Sequence, residues 1–341
     1  MGGSAIKDSK RMDLIDYNLL KITIESSFNK FKNESNIDFN YHIVKAYKSK
    51  NDFGDMDIVV SSSDPSFKDK LHAWMQEQFY NHEPFEFVVN GPVISYGLSK
   101  RQVDIIFQSP EDYQFACNYF NYNDVSNLIG RITSKMGFKF GHDGLWFKYL
   151  DGDRLIKNIC VTKDFKKALE AFGFSYEKFQ DGFEDLNDIF KYISENKYFN
   201  PEIYLLENRN HTARVRDKKR KTYMAFLEYC SNNTFDNIYE FNQDIHFYID
   251  MIFLKFPMFL AEYVLCTYDA ELARVSKEKL TTEIIRHHTG LDGIDLGNYI
   301  KATKLKFNSI NDWHHVVIAL PVSDILFIMD SNYKEYNQNV V

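Results

Sequence analysis

Three aspartates stand out by type and spacing. Asp55 and Asp57 lie two apart at the head of an apolar run, NDFGDMDIVV (residues 51–60), and Asp104 interrupts a second one, VDIIF (103–107). Residues two apart in a strand point to the same face, so Asp55 and Asp57 put both carboxylates on one side. If the two strands are neighbours, three carboxylates converge. Three like charges gathered away from water are strongly unfavourable unless a cation neutralises them. Hard divalent ions such as magnesium take oxygen ligands, and paired ions stabilise both the attacking and the leaving oxygen in phosphoryl transfer. Gly54, just ahead of the first aspartate, lets a phosphate-bearing ligand approach the backbone. An isolated Asp-x-Asp also fits a strand-start turn followed by a surface residue. A third aspartate in another apolar strand, together with the glycine, favours the metal reading.

The surrounding pattern supplies the elements that would position these side chains. Residues 12–34 carry Leu14, Ile15, Leu19, Leu20, Ile22, Ile24, Phe28 and Phe31 at helical spacing. FNYHIVKAY (39–47) and DMDIVVS (55–61) read as strands. SSDPSFKDKLHAWMQEQFY (62–80) begins with capping residues and continues as a helix with Leu71, Trp74, Met75 and Phe79 on one face. Residues 85–98 read as a hairpin containing an Asn90-Gly91 turn, and 101–107 as a further strand. The order predicts an α+β fold, a mixed sheet with helices on one face. Residues 110–135 read as helical and 139–150 as a turn with short strands. From about residue 163 onward the pattern is mostly helix.

Composition narrows the class. The 341 residues are 44% hydrophobic and 16% aromatic, which suits a packed protein, and the net charge of −7 argues against a chain that coats nucleic acid with its whole surface. A local basic patch would still suffice to contact phosphates. Cys117, Cys160, Cys230 and Cys266 have no zinc spacing and read as reduced core thiols in a cytoplasmic compartment. MGGSAIKDSK at the start has no apolar core of the signal-peptide kind. The most apolar later stretch, 249–266, contains Asp250, Lys255, Pro257 and Glu262. It is expected to be a buried helix broken near Pro257 and not a membrane span.

Gly54 to Val60 resembles the metal-binding strand of the nucleotidyltransferase superfamily, most closely its family X (polymerase beta type) DNA polymerases. Arg101 to Ile106 resembles the strand bearing that family's third carboxylate. Tyr119-Phe120-Asn121-Tyr122-Asn123-Asp124-Val125-Ser126-Asn127 resembles the family's YF-TGS-D segment, and a helix ending in Lys135-Met136-Gly137-Phe138 follows, as it does there. The resemblance covers about residues 40–150. It implies an N-terminal helix (1–38), a nucleotidyltransferase palm (39–115), a thumb-like nucleotide-binding subdomain (116–162) and a helical domain (163–341). It further implies two Mg2+ ions, replaceable by Mn2+, held by Asp55, Asp57 and Asp104. Asp104 would take the proton of the primer 3′-hydroxyl. Tyr119 and Phe120 would lie against the sugar of a nucleoside triphosphate, Asp124 against its base, and Asn127 would reach the base or its minor-groove edge.

The chain also departs from the family. Where a Gly-Ser phosphate loop would stand, it has Ala46-Tyr47-Lys48-Ser49-Lys50-Asn51. Ser49 would hydrogen-bond a phosphate and Lys48 or Lys50 neutralise it, or the three form a solvated loop. The TGS turn has become Asn121-Tyr122-Asn123. Residues ahead of 39 read as one helix, not as the family's helical-hairpin lyase domain, so gap-filling repair is not expected.

The most basic stretch, 208–223, holds Arg209, Arg214, Arg216, Lys218, Lys219, Arg220 and Lys221 against Asp217. On a helix, Arg214/Lys218 and Arg216/Arg220 would fall on adjoining faces and repel, and a polyanion would relieve them. A solvated face near acidic neighbours is the ordinary reading; beside such a palm, a DNA or RNA 3′ end is the expected partner. Residues 289–297 are similar to a short helix-turn-helix segment in tRNA CCA-adding enzymes. His287-His288 and His314-His315 are read as surface or packing residues, and the three tryptophans as core.

Overall fold

A computed structural model describes residues 5–79, 85–152 and 154–338, the side chains of 336–338 excepted. Residues 1–4 of the signal-peptide reading and Tyr80, the expected last residue of the second helix, lie outside the described residues. The chain divides into two compact units: the described residues of Met1–Lys148 and Asn158–Phe259, and those of Tyr149–Lys157 and Leu260–Val341.

In the first unit the order begins β1 (Met12–Asp13), α1 (Leu14–Ser35), β2 (Asn40–Ile43), β3 (Asp52–Phe53), β4 (Asp55–Ser61), α2 (Phe67–Phe79), β5 (Phe85–Asn90), β6 (Val93–Leu98) and β7 (Arg101–Phe107). It continues with α3 (Tyr113–Phe120), α4 (Val125–Lys135), β8 (Phe138–Gly141), β9 (Gly144–Asp151), β10 (Arg154–Thr162), α5 (Phe165–Ala171), α6 (Tyr176–Asp181), α7 (Leu186–Ser194), α8 (His211–Asp217), α9 (Lys221–Asn232) and α10 (His246–Phe253), the end of β9 from Tyr149 and the start of β10 up to Lys157 being counted with the second unit. Five strands form a mixed sheet in the order β2-β4-β7-β6-β5. β4 and β7 are parallel, and the other neighbouring pairs are antiparallel. Gly91, at a φ of 58°, makes the β5–β6 turn with Pro92.

Strand alternation sorts the sheet into two faces. Met56, Ile58 and Val60 of β4, Ile94, Tyr96 and Leu98 of β6, and Val103 and Ile105 of β7 join one core with Leu20, Ile24, Phe28 and Phe31 of α1 and Leu71, Trp74 and Met75 of α2. Burying each such side chain stabilises the fold by about 1.5–3 kcal/mol. The intervening residues of β4, Asp55, Asp57 and Val59, take the opposite face. There Val59 packs against Tyr113, Ala116 and Cys117 of α3, with Phe120 alongside. Helices therefore touch both faces, whereas the sequence suggested one.

α1 begins at Asp13, whose carboxylate accepts from the Asp16 N–H at 2.8 Å. Only the stripe Leu20, Ile24, Phe28 and Phe31 is buried; Leu14, Ile15, Leu19 and Ile22 are exposed. The expected helix over 110–135 is two helices, α3 and α4, interrupted where Tyr122 and Asn123 both adopt left-handed backbone at a φ of 61°.

The second unit has its own core, formed by Leu280, Ile285, Leu296, Tyr299, Trp313, Val317, Ile325 and Met329. The expected helix, glycine turn and helix is present: α12 (Thr282–Thr289) ends on left-handed Gly290, and α13 (Gly293–Lys304) starts at Asp292. Pro257 opens α11 (Pro257–Lys279), and the expected burial is only partial there: Phe259 and Cys266 are buried, while Met258, Val264 and Leu265 are exposed. No disulfide joins the four cysteines. Among the described residues no helix is long and apolar enough to cross a membrane.

Candidate metal centre

Register brings the carboxylates together. In the parallel β4–β7 pair Asp57 stands opposite Asp104, and Asp55 opposite Gln102. In the antiparallel β6–β7 pair Ser95 stands opposite Asp104. One oxygen from each of Asp55, Asp57 and Asp104 lies within 4.8 Å of the other two, and all three residues are partly buried.

Neighbouring groups tune this cluster. Gln102 Nε2 donates to both oxygens of Asp104, at 2.9 and 3.0 Å. Burial raises the pKa of Asp104, and the Asp55 charge adds to it, while hydrogen bonds from Ser95 and Gln102 act the other way. Asp57 is pushed well above the ordinary carboxylate range, first by burial and then by Asp55 and Asp104, against the opposing charge of Lys50. The Lys50 ammonium is lowered by burial, while Asp55 and Asp57 favour its charged form. It sits 4.9 Å from the centre of the Phe53 ring and donates to Asn123 Oδ1 at 3.3 Å. Tyr17 stacks on the other partner of that lysine, Phe53, with ring centres 4.1 Å apart. Its phenol is raised by burial and then by Asp57 and Asp55.

The donor set is three carboxylate oxygens, hard ligands of the kind magnesium and manganese take. A bound cation would relieve the repulsion among the three carboxylates that adds to the effect of burial on Asp57. The residues present therefore fit a divalent ion.

Gly54 is buried at the joint of β3 and β4. Of the substitute phosphate loop, Lys50 lies close enough to Asp55 and Asp57 for their charges to act on one another. Lys48 pairs with Glu184 at 3.6 Å, and the Lys48 and Ser49 N–H groups bond to the Phe183 and Glu184 carbonyls. Tyr119 packs against Phe120, Phe140 and His142, and Phe120 stacks on His142. Phe120 lies over Val59, on the sheet face that carries the aspartates. Asp124 is ion-paired with Arg220. In α4, Asn127 Nδ2 is buried and has no hydrogen-bond partner among the described residues.

The basic stretch is not one helix face. α8 (His211–Asp217) ends before Lys218, and α9 (Lys221–Asn232) follows, so the helical spacing drawn from sequence does not apply. Asp217 is fully buried between Arg209, at 2.8 Å, and Arg216, at 3.1 Å. With Arg220 on Asp124, three of the cations are engaged inside the chain; Arg214, Lys218, Lys219 and Lys221 are exposed.

Sequence reasoning missed Gln102, Ser95, Tyr17 and Asn123. Gln102 carried a legible signal, a polar residue two before Asp104 on the same strand face. Tyr17 carried none, because it comes from another element. No protein-family model matches this chain, and no curated protein sequence matches it.

Proposed function

We propose that the chain is a metal-dependent nucleotidyltransferase that moves a nucleoside monophosphate from an NTP or dNTP to the 3′-hydroxyl of a DNA or RNA strand. The observation that carries this reading is the meeting of Asp55, Asp57 and Asp104 on one partly buried face of two parallel strands. The five-stranded mixed sheet around them is compatible with the nucleotidyltransferase palm that residues 54–60 and 101–106 resemble. Asp55 and Asp57 would hold two Mg2+ or Mn2+ ions, and Asp104 one of them. Such ions supply charge neutralisation for the triphosphate and for the attacking and leaving oxygens. A bond then forms from the 3′-oxygen to the α-phosphorus as the bond to the bridging oxygen breaks, and pyrophosphate leaves. Asp104 takes the hydroxyl proton, as a carboxylate placed beside the attacking oxygen would. Lys50, held beside the aspartates, offers a charge to a phosphate oxygen, and Tyr119 and Phe120 offer ring faces to a sugar.

The internal pairing of Arg209, Arg216 and Arg220 favours a second reading, in which the nucleotide goes to a protein or a small molecule. Incubation with Mg2+, labelled nucleoside triphosphates and either primed DNA, single-stranded DNA or tRNA separates the cases. Templated extension supports a polymerase, and template-blind addition to RNA supports a terminal transferase. Label on protein alone supports the second reading. In each, Asp104→Asn is expected to lower the rate by at least about 100-fold; an unchanged rate removes Asp104 from the mechanism.

A further inference from the structure

Gln102 is 98% buried and uses its whole side-chain amide. Its Nε2 clamps both oxygens of Asp104, and its Oε1 accepts from the backbone N–H groups of Ala5 and Ile6 at 3.0 and 3.1 Å. The amide thus ties the start of the described chain to the third carboxylate of the centre.

That tie is one of several along the same segment. Ile6 is buried and lies against Gly97, the cross-strand partner of Gln102. A Cβ at Gly97 would come within 2.8 Å of Ile6 Cγ2, so the glycine makes room for the strap. Further along, the Lys10 N–H bonds to the Lys100 carbonyl at 2.7 Å, and Arg11 pairs with Asp52 at 2.5 Å. Met12 then pairs with Phe53, two residues before Asp55. Residues 5–13 therefore bridge the leading ends of β7 and β4, the two strands that present the carboxylates.

We propose that this strap is a working part of the carboxylate centre, with Gln102 as the positioning residue through which it holds Asp104. The inference rests on the metal-binding part of the proposed function and adds to it a dependence on residues far from the motif strands. An amide fixed at both ends limits the rotation of the Asp104 carboxylate. Partners of this kind typically change metal affinity by about 10–100-fold when removed.

The test is Mn2+ binding to the full chain, followed by electron paramagnetic resonance of the free ion, beside thermal melting and transferase kinetics. Gln102→Ala is expected to weaken Mn2+ binding by about 10-fold or more and to lower kcat at fixed Mg2+, with KM for the nucleotide little changed; the melting temperature should fall as well, because the Ala5 and Ile6 N–H groups lose their acceptor. Ile6→Asn leaves Gln102 and Asp104 intact but loosens the strap, and is expected to weaken Mn2+ in the same direction. It also answers the question if Gln102→Ala fails to fold. Wild-type Mn2+ affinity in both variants overturns the inference and leaves the metal centre standing. Mn2+ binding without transfer in the wild type overturns the transferase reading, while the Gln102 comparison still decides the strap. A wild type that binds no Mn2+ overturns both.

Discussion

The aspartates of β4 and β7 and the cations of residues 209–221 are both like-charge clusters in the sequence, and the fold treats them in opposite ways. The cations are dispersed: a buried Asp217 takes Arg209 and Arg216, Asp124 takes Arg220, and the rest face solvent. The aspartates are concentrated, and the groups that act on them include an amide, a hydroxyl, a phenol and a lysine ammonium. Charges neutralised within the chain contribute to architecture. Carboxylates gathered at a cost to the folded state are what a bound cation would relieve.

Three changes break or sharpen that contrast. The largest effect is expected at the basic corner. Asp217→Ala strands Arg209, which is only 7% exposed and adjoins Arg131, so urea denaturation should show a loss of about 3–5 kcal/mol. A loss well under 1 kcal/mol would mean that Asp217 is not an architectural counter-ion.

At the aspartates the sign reverses. Because the folded state raises the pKa of Asp57, it keeps a proton that the unfolded chain has already given up. The metal-free protein therefore loses stability as pH rises from the unfolded pKa through the folded one. Asp57→Asn should shrink that fall, leaving the part due to Asp104, and raise the metal-free melting temperature at neutral pH by a few degrees. Mg2+ or Mn2+ should stabilise the wild type and not the variant. A variant that melts lower than wild type without metal would contradict this account.

The smallest effect on stability is expected on the exposed cations. Lys218→Ala with Lys219→Ala should shift stability by no more than about 0.5 kcal/mol. If the acceptor is a nucleic acid, the double variant should also flatten the salt dependence of binding, by about 2 in the slope of log K against log salt. An unchanged slope would place the strand elsewhere.

The acidic strands were legible because two local signals coincide: strand alternation fixes which residues share a face, and Asp is out of place in an apolar strand. The same alternation put Gln102 within reach of sequence reasoning. The basic run misled because a string of cations states only their order. The break after Asp217, and the carboxylates at 124 and 217 that absorb three of the arginines, depend on tertiary contacts. In α1 the apolar count exceeded what one face can bury, so Ile15, Leu19 and Ile22 were left outside. The interruption of α3 and α4 turned on left-handed backbone at Tyr122 and Asn123, which no glycine announces.

The parallel pairing of β4 with β7 has a kinetic consequence. α2 and the β5–β6 hairpin lie between these strands in the chain, and a parallel neighbour cannot be reached by a tight turn. Bringing Asp57 beside Asp104 therefore closes a long stretch of chain, and pairings of such sequence separation form slowly. If the centre takes a divalent ion, uptake during refolding would follow the pairing of these strands and so report the closing of the sheet.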